Sequence, residues 1–222
     1  MTPFDRTKPV SLRLVIALLL AGLLSGLPGM AAAEDAGAGK TYRLTIDGTA
    51  ANIDPGDTIT VPLADGRSVT VSLERNPFAT LTGQFFSFDH DGSLAVTKKD
   101  LGAGVTQYVL ITATGTTILV QEYKRIDPSA LIQLMLQELT KDARKAGDDI
   151  QQQPAQRTLA SGQVLQGIKA RASSKSDFTS YQIFAIGTSD QGVMLITRVE
   201  QSNTAQDGPI LDLFWKTLRL NF

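Results

Sequence analysis

Between residues 41 and 123 apolar and polar positions mostly alternate, the two-residue period of a half-buried strand. Tyr42-Arg-Leu-Thr-Ile-Asp-Gly48 reads as one strand. Thr58-Ile-Thr-Val-Pro-Leu63 and Ser68-Val-Thr-Val-Ser-Leu73 read as two more, joined through Ala64-Asp65-Gly66-Arg67. An Asp-Gly pair between β-branched runs predicts a hairpin in which both central residues take positive φ. Asn76-Pro77 punctuates this section. Further strands are expected over Gln84–Asp89, Leu94–Thr97, Thr106–Ala113 and Thr116–Tyr123, the last two linked at Thr114-Gly115 and rich in residues that suit a pleated interior.

At Asp127 the period changes. Asp127 can cap, Pro128 suits a first helical turn, and Leu131, Leu134, Met135, Leu136, Leu139 and Ala143 fall at helical spacing, with Gly147 available for a left-handed end. This predicts a helix over 128–146. Gln151-Gln-Gln-Pro154 is read as a polar connector. Strands follow at Val164–Ala172, Tyr181–Gly187 and Val193–Val199, and the middle one is apolar on both faces, as a strand covered on both sides should be. Gly208-Pro209 is read as the start of a short helix over 209–220, with Leu211, Phe214, Trp215 and Leu218 on one face.

The order of elements predicts an α+β fold: an antiparallel β-sheet with a long helix and a short C-terminal helix packed on it, preceded by a β-hairpin extension. Phe85-Phe-Ser-Phe88, Thr117–Tyr123, the helix from Ala130 to Lys145, Gln166–Arg171, Tyr181–Ile186 and Phe214–Leu218 stand in an order that resembles the Mog1/PsbP-like fold. They are similar to the layout of periplasmic DcrB-type proteins over roughly residues 84–222. That resemblance implies a noncatalytic binding or assembly factor and carries no active-site residue to this chain, because a fold hosts many functions. The expected organisation is a signal peptide over 1–33, a flexible leader over 34–40, a β-hairpin extension over 41–77 and an α+β core domain over 78–222.

The compartment is read from the N-terminus. Arg6, Lys8 and Arg13 precede an apolar run from Leu14 to Leu24, and the segment closes on Gly26, Pro28 and Ala31-Ala32-Ala33. Eleven residues are short for a bilayer span of about 20, and a small-residue ending suits signal peptidase, so cleavage after Ala33 is expected. The bland alternative is an uncleaved anchor. A lipid anchor at the processing site would need a cysteine, and the chain has none. Cleavage would remove three basic residues and one acid, leaving an exported, mildly acidic protein, periplasmic or secreted.

Composition then narrows the chemistry. The 222 residues are 42% hydrophobic and 19% charged, with 21 basic against 22 acidic residues. That balance leaves no excess positive charge for nucleic acid. Without cysteine there is no disulfide, thiolate nucleophile or Cys-based metal site, and a single histidine, His90, forbids a multi-His centre within one chain. No G-x-S-x-G, no S-x-x-K and no strand-following G-x-G-x-x-G occurs. No metal site and no cofactor is expected.

Three groups of residues are chemical candidates. Asp89-His90-Asp91-Gly92 offers oxygen ligands to a divalent cation, but Val96, Lys98 and Lys99 stand where a calcium loop needs further acids, so it is read as a polar turn with Gly92 at positive φ. Asp148-Asp149 is read as a solvated pair behind the helix. The third is a polar strip: Lys169 and Arg171 share one face of their strand, Arg198 and Glu200 share one of theirs, and Gln121, Tyr123 and Arg125 do likewise. Were these faces to coincide, Tyr123, Lys169, Arg171 and Arg198 would line a cationic groove with an aromatic wall, fit for an anionic group or a partner loop. The bland reading is a solvent-facing sheet end whose charges pair with acids.

Two functions stay open at this point. One is a noncatalytic periplasmic binding or assembly-support module whose partner is another envelope protein or a small anionic ligand. The other is a hydrolase acting on envelope glycan through two carboxylates, which need only lie about 5–10 Å apart in space. An outer-membrane barrel, prompted by the alternation Leu218-Arg-Leu-Asn-Phe222, is opposed by the long mid-chain helix.

Overall fold

In a computed structural model that describes residues 40–221, the first strands form a small unit of their own, ending at Phe78. β1 (Tyr42–Ile46) and β2 (Thr49–Ile53) pair antiparallel across Asp47-Gly48, where φ is 46° and 81°. The turn with two positive φ values is therefore at this Asp-Gly, and β2 is a strand that its weak Thr-Ala-Ala-Asn-Ile pattern did not announce. β3 (Thr58–Pro62) and β4 (Ser68–Ser72) also form a hairpin. At its tip only Gly66 has positive φ, because a longer loop closes it, with Leu63 N–H donating to the Arg67 carbonyl and Gly66 N–H to that of Leu63. Ile53 and Val61 are the buried apolar residues of this unit.

The larger unit runs from Ala79 onward. Its strands are β5 (Phe78–Thr82), β6 (Phe86–Asp91), β7 (Val96–Gly102), β8 (Val105–Ile111), β9 (Thr117–Lys124), β10 (Asp149–Thr158), β11 (Val164–Ser173), β12 (Phe178–Gly187), β13 (Gln191–Glu200) and β14 (Arg219–Leu220). Seven of them make one antiparallel sheet in the order β10-β11-β12-β13-β9-β8-β7. The other three make a small sheet, β14-β6-β5.

Paired residues of antiparallel strands point to the same face, so the register sorts the sheet's side chains. One face carries Val109, Leu119, Ile168, Ile183, Met194 and Ile196, packed with Leu131, Ile132, Met135 and Leu136. The other carries Leu110, Val120, Leu165, Phe184 and Leu195, packed with Phe86 and Phe88 of β6 and with Phe214, Trp215 and Leu218. The result is α+β in three layers, the large sheet in the middle. Over Ile183, Phe184 and Ala185 β12 is covered on both faces, which explains why that stretch has no polar side.

Several elements differ from the sequence reading. The helical stretch opens as a 3-10 turn at Pro128–Leu131, capped by Asp127, and continues as α1 (Ile132–Leu139) and α2 (Lys141–Ala146). Thr140 separates them. Its hydroxyl donates to the Leu136 carbonyl at 2.7 Å, and such back-bonding bends helices. Gly147 takes the left-handed end at φ 87°.

Gln151-Gln-Gln-Pro154 is no connector. It lies within β10, an edge strand of ten residues. The ladder to β11 runs through Pro154↔Ile168, so the proline nitrogen faces the open edge, the one place in a sheet where a missing N–H is harmless. Glutamines alternating on an edge strand carry no hydrophobic signal to read.

α3 (Thr204–Thr217) begins before Gly208-Pro209 and holds Pro209 in its interior. It also ends earlier than expected: Leu218 turns extended at ψ 126°, and Arg219 and Leu220 pair with Ser87 and Phe86. Among the described residues no helix is long and apolar enough to cross a membrane. The segments expected to be a signal peptide and a leader fall outside the described residues, except for Lys40.

Candidate functional site

β11 alternates Leu165, Gly167, Lys169 and Arg171 on the face that also carries Phe184 and Leu195. Leu165 is buried in the core with Trp215 of α3, whereas Lys169 and Arg171, further along, are exposed. Two cross-strand rows result. In one, Gln153, Lys169, Gln182 and Thr197 stand side by side; in the other, Gln151, Arg171, Ser180 and Val199 do. Lys169 and Arg171 with their Gln and Ser neighbours border a shallow polar depression of about 480 Å³.

Electrostatically the depression is cationic. Neither Lys169 nor Arg171 forms an ion pair among the described residues. The Arg171 guanidinium lies 3.5 Å from the centre of the Phe178 ring, a stacking that fixes the charge in position and leaves its N–H edges for hydrogen bonds. A third cation, Arg157, sits over the Trp215 ring at 4.2 Å and donates to Gln182 Oε1 at 3.2 Å. Burial holds Arg157 below its ordinary value, with the charge of Asp212 opposing the shift.

The structure divides the strip read from the sequence. Tyr123 and Arg198 lie on the opposite face from Lys169 and Arg171, since Arg198 pairs with Tyr181 and Tyr123 with Gly192, one residue out of phase with the Lys169 and Arg171 rows. Tyr123 is buried and donates to Gln121 Oε1 at 2.5 Å, and Gln121 Nε2 donates to Gln107 Oε1 at 2.8 Å. Burial pushes its phenol up. It is a core residue, not a groove wall. Arg198 is half-buried, bonded to Glu200 Oε1 at 2.7 Å and to the Gly115 carbonyl at 3.3 Å, so its charge pins the β8–β9 turn. Arg125 lies beyond the end of β9, at φ 82°.

Gln151 and Gln153 were missed because their strand was. Gln182 and Ser180 sit on a strand that reads as apolar, and only the register with Lys169 and Arg171 singles them out.

The remaining candidates are absorbed by structure. Asp89, His90 and Asp91 belong to β6, not to a turn, and Gly92 does not take positive φ. Their side chains alternate: His90 is buried with Nδ1 2.8 Å from the Asp91 carbonyl, Asp89 accepts from Thr80 at 2.6 Å, and Asp91 accepts from Ser93 N–H at 2.7 Å. Asp149 begins β10 and accepts from Gln151 Nε2 at 2.8 Å. Among the described residues no group of three His, Asp or Glu side chains is placed to hold a metal ion.

Two carboxylates are buried among the described residues, Glu122 and Asp207. Glu122 accepts from Phe85 N–H at 2.6 Å and from the Tyr108 hydroxyl at 3.2 Å. Burial, helped by the Glu122 charge, pushes Tyr108 up to about 12. Asp207 accepts from the hydroxyls of Thr112, at 2.8 Å, and Thr114, tying α3 to the β8–β9 turn. Burial works against its ionisation, but the threonine hydroxyls outweigh it and hold the carboxyl below the usual carboxylate range.

A depressed folded-state value means that the ionised carboxylate stabilises the fold fully above the unfolded value, near pH 4, and that this contribution is lost as pH falls through the lower folded value. Asp207→Ala, which leaves the hydroxyls unmatched, is expected to cost about 1–3 kcal/mol at pH 7. Urea melts should show the gap between variant and parent narrowing at pH 3. An unchanged midpoint at pH 7 would refute the role given to Asp207.

No family model matches the chain, and no curated protein does. Among solved structures it is similar to a Bacteroides thetaiotaomicron protein whose crystal structure was determined at 1.50 Å, with 12% sequence identity and a TM-score of 0.36. The likeness covers 67% of this chain and 49% of the other, so the chain spans about half the length of that neighbour.

Proposed function

We propose that this chain is an exported, noncatalytic binding protein whose depression on β10, β11 and β12 takes an anionic group, and that its larger unit is related to Mog1/PsbP-like proteins. The observation that carries the binding role is the pair Lys169 and Arg171, which stand on one face among amides and without a carboxylate partner among the described residues. Lys98, Lys99 and Lys124 of the same sheet are unpaired among the described residues as well; what distinguishes Lys169 and Arg171 is that they adjoin on one face and border one depression among amides, where both can meet a single ligand. The export half rests on the basic, apolar and small-residue segments over residues 1–33, and the kinship on the order of mid-chain helices, antiparallel strands and closing aromatic helix, with four strands, β10 to β13, where the sequence reading had three.

The hydrolase reading has less support. Glu122 lies near the far end of β9 and Asp207 binds the β8–β9 turn that precedes it, so about 16 Å of strand, five residues from Glu122 to Thr117 at roughly 3.3 Å each, runs between their stations, and both are spent on structural hydrogen bonds.

The test is retention on a carboxylate-bearing resin against a neutral one. Lys169→Ala with Arg171→Ala should leave stability within about 0.5 kcal/mol, as expected of exposed positions, and abolish retention. N-terminal sequencing of the same preparation, recovered from the envelope fraction, should begin at or near Glu34. Undiminished retention would overturn the site, and retained Met1 would overturn cleavage.

A further inference from the structure

On the reading of the depression as an anion site, we propose that its ligand is a linear acidic polysaccharide, two of whose carboxylates are held at once by Lys169 and Arg171. The two cations are i and i+2 on one strand, so their Cα atoms stand about 6.6 Å apart and their side chains rise from the same face. Each is centred in its own row: Gln153 and Gln182 flank Lys169, and Gln151 and Ser180 flank Arg171. The site therefore repeats, a cation between two hydrogen-bonding side chains, then the same again one step along β11. A repeating site meets a repeating ligand, and a single carboxylate seated in one row would use only half of it.

The flanking groups choose among repeating anions. An amide both donates and accepts, which is what a sugar hydroxyl requires of its neighbour; Gln151, donating to Asp149, still offers its oxygen, and Gln182, accepting from Arg157, still offers its N–H groups. An acidic peptide would bring a main chain whose N–H and C=O groups need partners, yet on this face the backbone of β11 and β12 is consumed by strand pairing. The face also lacks an apolar recess for peptide side chains, for Phe178 is covered by Arg171. A polar, flat and shallow surface suits the hydroxyl-rich edge of a glycan.

Calorimetry with galacturonate, trigalacturonate, polygalacturonate, neutral dextran, hexaglutamate and inorganic phosphate tests this. Engaging the second carboxylate is intramolecular, so trigalacturonate is expected to bind at least about 100-fold tighter than galacturonate, and dextran not at all. Either Lys169→Gln or Arg171→Gln should bring the trimer down to the monomer's affinity. Lys141→Gln with Lys145→Gln, exposed cations on α2, should change nothing. Equal affinity for galacturonate, phosphate and the trimer, lost in the same two variants, would leave the anion site standing and overturn the polysaccharide. Tighter binding of hexaglutamate than of trigalacturonate would overturn it in favour of a protein partner. Failure of every anion to bind would sink the anion site itself.

Discussion

A chain stopped at Gln206 is expected not to reach a cooperative native state. It loses all but the first three residues of α3 and the whole of β14, and with them Phe214 and Leu218, both fully buried, as well as Trp215 and Leu220. At roughly 1.5–3 kcal/mol for each buried side chain the loss is about 6–12 kcal/mol, an upper bound because an unfolded chain already hides part of that area. A typical domain has about 5–15 kcal/mol in all. The geometry explains why no neighbour compensates. Phe214 meets Phe88 edge to face at 4.7 Å, Trp215 meets Phe184 in the same way at 5.5 Å, and Leu220 pairs with Phe86. Removing the segment uncovers the phenylalanines of β6 and the part of the large sheet around Leu165, Phe184 and Leu195. In the intact protein the single tryptophan should emit at short wavelength and move red on unfolding. A well-defined melt of the truncated chain, or a water-exposed emission maximum in the full one, would refute this account of the core.

The second large effect comes from one methyl group. Gly167 lies in β11 opposite Phe184, and a Cβ built there would stand 2.1 Å from the Ile183 carbonyl oxygen and 2.6 Å from the Phe184 ring. The oxygen belongs to a paired strand in the sheet interior and cannot swing away as a flexible side chain would. Gly167→Ala is expected to cost about 3 kcal/mol or more, the upper part of the range for overpacking. Gly208 makes the contrast. It sits inside α3, where a Cβ meets nothing within 4 Å beyond its chain neighbours, but Pro209 follows and its ring crowds a Cβ on a helical residue before it, so helix propensity is offset and Gly208→Ala should change stability little. Chemical melts should show a large fall for Gly167→Ala and little change for Gly208→Ala, and an unperturbed Gly167→Ala would contradict the register of β11 on β12.

Where burial wrote a period into the chain, the sequence was legible. The helix from Pro128, the strand pair at 105–124 and the run from Val164 to Val199 all bury an apolar face, and each was placed within a few residues of its observed bounds. β10 was not, because an edge strand with glutamines on both sides has no apolar face to betray it. The end of the chain misled for another reason. Pro209 is read locally as a helix start, yet the anchoring of Asp207 to the threonine turn places a full turn of α3 before it. The candidate site suffered most, since a strand's alternation tells which residues share a face of that strand but not which faces of different strands coincide. Lys169 and Arg171 were rightly paired with each other. Their union with Tyr123 and Arg198 needed a register that only the folded sheet supplies.

Pro154 governs what can happen along the margin of the large sheet. An exposed ten-residue strand is ordinarily a template on which another chain can grow, and such an edge is a site of aggregation. With no hydrogen to offer at its centre, β10 breaks the outward row of donors into two short halves, neither long enough to hold an added strand well. The margin beside Gln151 and Gln153 thus stays free of a wall, and a polymer lying over Lys169 and Arg171 can run off the side of the protein into water without having to end there.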